Sequence, residues 1–158
     1  MDWGGWAVFG LIATAGLTGV LIASQLAGLT RLDLPLMLGT LVTPDPDRAR
    51  VVGSLIHLVN GQFFALFYAA TFALVGQASW YAGAALGVVH GFVSLSVIVP
   101  LLPGVHPRMA STRAGLDTGP VLQPPGLFAL NYGRQTPIVT WVAHMAFGVT
   151  LGFLLGPR

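Results

Sequence analysis

Four long apolar runs dominate the pattern of this chain, and none of them contains a Lys, Arg, Asp or Glu. Each run is near or above about 20 residues, the length that an α-helix needs to cross about 30 Å of hydrocarbon. The predicted spans are 6–29, 51–75, 80–102 and 138–155. The pattern therefore predicts an all-α integral membrane protein, with a single four-helix transmembrane bundle over residues 1–158.

The connections between the spans differ in length and chemistry. Between the first two spans, Asp33 is a good helix cap and Pro35 suits a first helical turn, which predicts a short interfacial helix there. Residues 76–79 join spans two and three tightly enough to predict an antiparallel hairpin. The long connection 103–137 is rich in Gly and Pro. Its apolar stretch 127–130 predicts a partly ordered segment near the mouth above His57 and His144.

Composition agrees with a membrane protein and excludes several classes of function. Charged residues make up 8% of the chain, against roughly 25% in soluble domains, and the mean hydropathy is +0.78. The chain has no Cys, so it offers no disulfide, thiolate metal site or Cys nucleophile. All seven basic residues are Arg, which we interpret as the signature of a GC-rich bacterial genome. A formal net charge of +2 gives no reason to expect nucleic acid as a partner.

The distribution of arginine predicts the orientation in the membrane. Arg158 stands alone on the side of the termini, and the other six lie on the side of the long connections: Arg31, Arg48, Arg50, Arg108, Arg113 and Arg134. By the positive-inside rule, the long connections are cytoplasmic and both termini lie outside a bacterial inner membrane. The first apolar run is expected to be a retained span, because it lacks a basic leader and is too long for a signal peptide.

Small residues recur at every fourth position in three spans, which favours close packing of helix backbones in lipid. We expect these stripes to pack inside the bundle, with homo-oligomer contacts or docking onto a larger complex as the alternative. The stripes are Ala15, Gly19, Ala23 and Ala27, then Gly83, Gly87 and Gly91, then Gly148, Gly152 and Gly156.

A weak internal repeat relates spans two and four. His57 precedes Gly61 by four residues, and His144 precedes Gly148 by the same spacing. This repeat predicts two hairpins related by a pseudo-twofold axis along the membrane normal.

The candidate site is a set of polar side chains that face the bundle interior. Ionisable residues inside a membrane are functional candidates by default, and three histidines fall within the spans. His57 and His144 lie at matched depth, about 10 Å inside. His90 lies deeper on a glycine-rich face and is expected to matter less for ligation. The candidate binding residues are His57, His90, His144, Asn60 and Thr140, and the candidate metal ligands are His57 and His144.

Three interpretations of these histidines stay open at this point. They are neutral groups that hydrogen-bond across helices, or they bind a transition metal or a haem through imidazole nitrogen, or they relay protons or bind a quinone-like ligand. No motif of a soluble enzyme is present, and no catalytic residue is assigned. The alternative function is that of a non-catalytic accessory subunit, with the lipid bilayer and a larger membrane complex or a second copy as partners.

Several short patterns together resemble a family of small four-span bacterial membrane proteins without an established activity. The patterns are Leu32-Asp-Leu-Pro35, Gly87-Val-Val-His-Gly91, Val105-His-Pro-Arg-Met109, Pro125-Gly-Leu-Phe128, Leu130-Asn-Tyr-Gly133 and Ala143-His144. The resemblance implies a four-span fold and supplies no functional residues.

Overall fold

Helices account for most of the computed structural model, which describes residues 5–111 and 122–156. Four of its five α-helices are long and apolar enough to cross a membrane, and the exception is the short α2. We number them α1 (Gly5–Leu26), α2 (Leu34–Gly39), α3 (Pro46–Val75), α4 (Trp80–Val105) and α5 (Thr136–Leu154). The prediction of four long apolar helices with a short helix after the first is confirmed, and the four helices indicate a membrane helical bundle.

Polar caps and one glycine fix the helix ends. The carboxylate of Asp33 accepts from Leu36 N–H at the start of α2, and that of Asp45 accepts from Arg48 N–H at the start of α3. α3 ends at Gly76, whose φ of 70° lies in the left-handed region that glycine adopts without a Cβ penalty. Because Asp45 is the cap, α3 begins five residues before the predicted span.

The long helices are arranged in the order α3, α1, α5, α4 around the bundle. α1 packs against both α3 and α5, and α4 packs along α5. α3 and α4 are joined by a short turn, yet they do not pack closely on each other. One side of the bundle is therefore more open than the other three.

Glycines line the contact between α4 and α5, as the sequence predicts. A Cβ placed on Gly83 would collide with the carbonyl group of Gly148, and one placed on Gly87 would lie 2.5 Å from the carbonyl oxygen of His144. Only glycine allows this backbone approach, which maximises dispersion contacts where the hydrophobic effect between helices is absent.

The expectation that the small residues of α1 also pack internally is wrong. Ala15, Gly19, Ala23 and Ala27 are all exposed, and a Cβ on Gly19 would meet nothing within 4 Å. α1 instead buries the opposite face, with Ala13, Leu17 and Leu21 in the core. Sequence spacing identifies the stripe of small residues, but it does not say which face of a helix without charged residues turns inward.

α4 contains one π-helical turn at Ser94–Ile98. Pro100 lacks an N–H, and in a regular α-helix its ring would collide with the carbonyl group of the residue one turn earlier. The turn accommodates this: the N–H of Val99 donates to the carbonyl oxygen of Ser94, five residues earlier. The widened turn lies where α4 faces the open side of the bundle.

The described part of the long connection is ordered by hydrogen bonds to the α1–α2 segment and to itself. Arg31 N–H donates to the Tyr132 carbonyl at 2.8 Å, and the hydroxyls of Thr30 and Thr136 are 2.8 Å apart. Residues 127–132 form a short 3₁₀ segment in which Phe128 and Ala129 have left-handed φ values of 53° and 56°. The predicted ordered segment is confirmed for 122–135, and residues 112–121 lie outside the described part.

Candidate functional site

A cavity of about 150 Å³ lies between α3 and α4, with α1 and α5 behind it. α3 contributes His57, Asn60 and Phe64, α4 contributes His90 and Ser94, and α5 contributes Thr140 and His144. All five candidate binding residues from the sequence therefore line one cavity. The remaining wall is almost entirely apolar and includes Leu17, Leu21, Leu95, Leu102 and Phe147.

His57, His90 and His144 all line this cavity, and two of their rings are in contact. The rings of His90 and His144 meet edge to face, with centroids 4.6 Å apart. The close α4–α5 contact thus brings His90 against His144 although His90 lies deeper, and its smaller role in ligation stays a prediction.

Local hydrogen bonding fixes the tautomer of His144. Its Nδ1 lies 2.8 Å from the carbonyl oxygen of Thr140, which can only accept, so Nδ1 carries the proton. The other nitrogen, Nε2, then carries a lone pair, which accepts a hydrogen bond from Ser94 Oγ at 3.4 Å. His144 therefore presents an acceptor to the cavity, where Ser94 is its neighbour.

His57 and Thr140 each bring a buried polar atom to the cavity without a hydrogen-bond partner. Among the described residues, neither His57 Nε2 nor Thr140 Oγ1 has one. Thr140 is 5% exposed. A polar group that is buried in lipid without a hydrogen-bond partner costs several kcal/mol. Such groups therefore usually have a partner in the functioning protein. Thr140 is a partner of His144 through its carbonyl oxygen and not through its hydroxyl.

Aromatic rings form one wall of the cavity. Phe64 stacks on His90 with centroids 4.0 Å apart and an interplanar angle of 33°. Tyr68 Oη lies 3.4 Å from His90 Nδ1, and its ring packs edge-on against Phe147. These contacts hold the imidazole of His90 in place and close the inner end of the cavity.

The mouth of the cavity is on the open side of the bundle. Among the lining residues, only Asn60 of α3 and Ile98 of α4 are exposed, and they lie on its two rims. Leu34, Met37 and Leu38 cover the end of the cavity nearest the connections, together with the strained residue Ala129. Of the segment 127–130, Ala129 therefore lines the same cavity as the histidines, but at its covered end and not at its mouth.

Within 5–111 and 122–156, no charged side chain lines this cavity. The described charges lie at the end of the bundle that carries the long connections, where Arg50 Nε pairs with Asp33 Oδ2 at 3.0 Å. An ion entering the cavity would be desolvated without a counter-charge, which is costly at low dielectric. The site suits a neutral ligand.

A haem or metal site receives no added support from this geometry. Among the described residues, no group of three or more His, Asp or Glu side chains is placed to hold a metal ion. A cavity of about 150 Å³ is of the size that admits one benzene-like ring, whereas a haem macrocycle is several rings across. Metal or haem ligation by the pair His57 and His144 stays a prediction.

Three further contributors to the site were not among the sequence candidates. Phe147 lines the cavity from α5, and Met37 and Ala129 close it from the connections. Phe147 follows His144 by three residues and lies on the same helical face, so the helical period could have predicted that it lines the site. Met37 and Ala129 come from connections, whose tertiary placement no periodicity fixes.

His106, the fourth histidine, lies outside this cavity and has a structural role. It is buried, its Nε2 donates to the Met37 carbonyl at 2.9 Å, and its Nδ1 accepts from Arg108 N–H at 3.1 Å. Both ring nitrogens are thus satisfied, in contrast to those of His57. His106 joins α2 to the start of the long connection.

Comparison of the chain with protein-family models, curated proteins and solved structures finds no match. Function is therefore inferred from the geometry of the site.

Proposed function

We propose that the chain is a multi-pass protein of a bacterial inner membrane that binds a small uncharged ligand in the cavity between α3 and α4. The ligand has the size of one ring and carries hydrogen-bonding atoms on its edges. One observation carries the proposal: His57 Nε2 and Thr140 Oγ1 are both buried without a partner, and both residues line the same cavity. A ligand that pairs with both groups would remove two desolvation costs on binding.

The donors and acceptors around the cavity suit a ring with polar atoms at separate edges. Thr140 Oγ1 and Asn60 Nδ2 are donors for carbonyl oxygens, and His144 Nε2, whose bond from Ser94 Oγ is long at 3.4 Å, is an acceptor for a hydroxyl. The face of Phe64 and the edge of His144 favour a flat aromatic or quinonoid ring over an aliphatic one.

Binding of a tail-free benzoquinone to the purified protein in lipid nanodiscs tests this proposal, with binding to empty nanodiscs subtracted. We expect Thr140→Val and His57→Leu each to weaken binding roughly fivefold to tenfold, as the loss of one hydrogen bond does. Thr150→Val is the matched control, because Thr150 Oγ1 donates to the Ala146 carbonyl in the same helix and does not line the cavity. Equal binding by all variants would reject the proposal.

Titration with haem and with Zn²⁺ separates the metal hypothesis from this one. If His57 and His144 ligate a metal or haem, His57→Gln and His144→Gln each abolish saturable uptake, since half of a bis-imidazole site binds poorly. Weak and equal uptake by the wild type and both variants would reject the metal hypothesis and leave the neutral ligand in its place.

The proposed orientation places both termini outside and the long connections in the cytoplasm. The described arginines of those connections, Arg31, Arg48, Arg50, Arg108 and Arg134, support it, since positive charge favours the cytoplasmic side. A reporter active only in the cytoplasm should give signal when fused at position 115 and none when fused after Arg158. The reverse pattern would contradict the orientation.

The outward face of α1 favours a second candidate, an accessory subunit of a larger membrane assembly. Gly16 and Gly19 lie on this face, and a Cβ on either would meet nothing within 4 Å. Small residues on a lipid-facing helix permit close approach of another helix. If α1 docks in this way, Gly19→Leu lowers the mass of the native membrane complex while leaving ligand binding unchanged. An unchanged mass would remove this support.

A further inference from the structure

The cavity opens sideways, toward the region that lipid occupies in a membrane, and not toward either end of the bundle. Asn60 lies in the middle of α3, and Ile98 lies in the π-helical turn of α4. Outward-facing neighbours on both rims are apolar and exposed, including Val59 and Phe63 on α3 and Leu101 on α4. We call the opening between Asn60 and Ile98 the α3–α4 slot.

The packing of the bundle explains why the slot exists. Gly61 of α3 packs on Thr14 of α1, and Gly148 of α5 packs on Gly83 of α4, as the predicted two-hairpin repeat requires. A pseudo-twofold axis that relates these hairpins would match the α1–α5 contact to an α3–α4 contact. α1 and α5 pack directly on each other. Between α3 and α4, the large side chains of Phe64 and His90 stand in the way of such packing.

The end of the cavity toward the connections is covered, which leaves the slot as its way out. Met37 is 4% exposed and Ala129 is fully buried, and both lie over that end. The left-handed backbone at Phe128 and Ala129 is uncommon for residues with a Cβ, and it brings Ala129 onto the cavity. A water-soluble ligand has no direct path, whereas a lipid-soluble one has the slot.

We infer that the natural ligand is a neutral lipid of the quinone class, which enters through the α3–α4 slot and leaves its hydrocarbon tail between Asn60 and Ile98. This inference rests on the proposed function and adds the source of the ligand and its tail. The ring occupies the cavity beside Phe64, with its oxygens toward His57, Thr140 and His144. The absence of a charged lining residue disfavours lipids with phosphate or carboxylate head groups.

The test compares two ligands that share one ring. Decylubiquinone and the same dimethoxy-methyl-benzoquinone without its tail are titrated against the purified protein in nanodiscs, with concentrations expressed per lipid. We expect the tail to increase the affinity per lipid roughly tenfold, because its CH₂ groups gain dispersion contacts with the fixed side chains of the slot that fluid lipid does not provide. Equal affinity of the two compounds would overturn the inference and leave the proposed function intact.

A pair of neighbouring variants tests the path. Ile98→Trp places a bulky ring on the rim of the slot, and Val97→Trp places the same ring on an exposed position of the same turn that does not line the cavity. We expect Ile98→Trp to remove the advantage of the tail, whereas Val97→Trp leaves that advantage unchanged. Equal effects of the two variants would contradict the assigned path.

Mono-oleoylglycerol tests the assigned class, since it is a neutral tailed lipid without a ring. If it displaces decylubiquinone with equal affinity, the assignment to quinones is wrong. If the tail-free ring fails to bind at all and His57→Leu has no effect on decylubiquinone, the proposed function itself fails. The two failures are therefore distinguishable.

Discussion

The imidazole of His144 donates from Nδ1 to the carbonyl oxygen of Thr140, 2.8 Å away and one turn earlier in α5. This intrahelical bond turns a lone pair of Nε2 toward the cavity, where Ser94 Oγ lies 3.4 Å away. The acceptor that the site offers to a ligand is thus set by the backbone of the same helix.

Imidazole ¹⁵N chemical shifts in selectively labelled protein check this arrangement. We expect His144 to be neutral with the proton on Nδ1, since a carbonyl oxygen has no proton to give. The control is His106, whose Nε2 donates to the Met37 carbonyl and which should show the opposite tautomer. A proton on Nε2 of His144 would mean that the ring donates to the cavity and does not accept.

Two histidines should respond oppositely to replacement by leucine. His57→Leu removes a buried nitrogen that has no partner, so we expect the ligand-free protein to gain about 1–3 kcal/mol of stability. His106→Leu removes the partner of the Met37 carbonyl and of Arg108 N–H, so we expect a loss of similar size. Unfolding in detergent measures both. A loss of stability in His57→Leu would indicate an internal partner for His57.

The glycine contact between α4 and α5 should tolerate no side chain. Gly87→Ala places a Cβ 2.5 Å from the His144 carbonyl oxygen, which forces the helices apart and lowers the thermal unfolding temperature. Gly16→Ala is the matched control, because the added Cβ meets nothing within 4 Å and alanine has the higher helix propensity. We expect Gly16→Ala to retain full stability. Equal stability of the two variants would exclude a packing role for Gly87.

The long connection should loosen at high pH through Tyr132. Burial raises the pKa of the Tyr132 phenol, and the nearby Arg31 offsets only part of this rise. The folded state thus prefers the neutral phenol, which donates to the Gln123 carbonyl at 2.6 Å. This contribution to stability is present below about pH 10, the ordinary tyrosine pKa, and is lost as the pH rises through the folded value.

Protease sensitivity of the connection as a function of pH measures this effect. We expect cleavage to increase at alkaline pH in the wild type. In Tyr132→Phe the phenol is absent, so the connection should be somewhat more sensitive at neutral pH and should lose this pH dependence. A wild type and variant with identical pH profiles would assign the effect to another group.

The sequence by itself determined the four long apolar helices, the cap at Asp33, the glycine stripes of α4 and α5 that pack inside the bundle and the five candidate residues that line one cavity. Span length, cap chemistry and fourfold spacing are local properties, so residues near each other in sequence settle them. The faces of α3 and α5 that carry His57, Asn60, Thr140 and His144 followed from the 3.6-residue period alone.

Only the tertiary structure decided how these faces meet. α1 carries no charged residue that would mark its outside, so its sequence did not show that its small residues point outward. Likewise, the sequence predicts that His90 lies deeper in the membrane than His144. The close glycine contact between α4 and α5 nevertheless brings the centroids of their rings to 4.6 Å. The slot between α3 and α4 depends on side-chain volumes from both helices at once, and no single stretch of sequence contains that information.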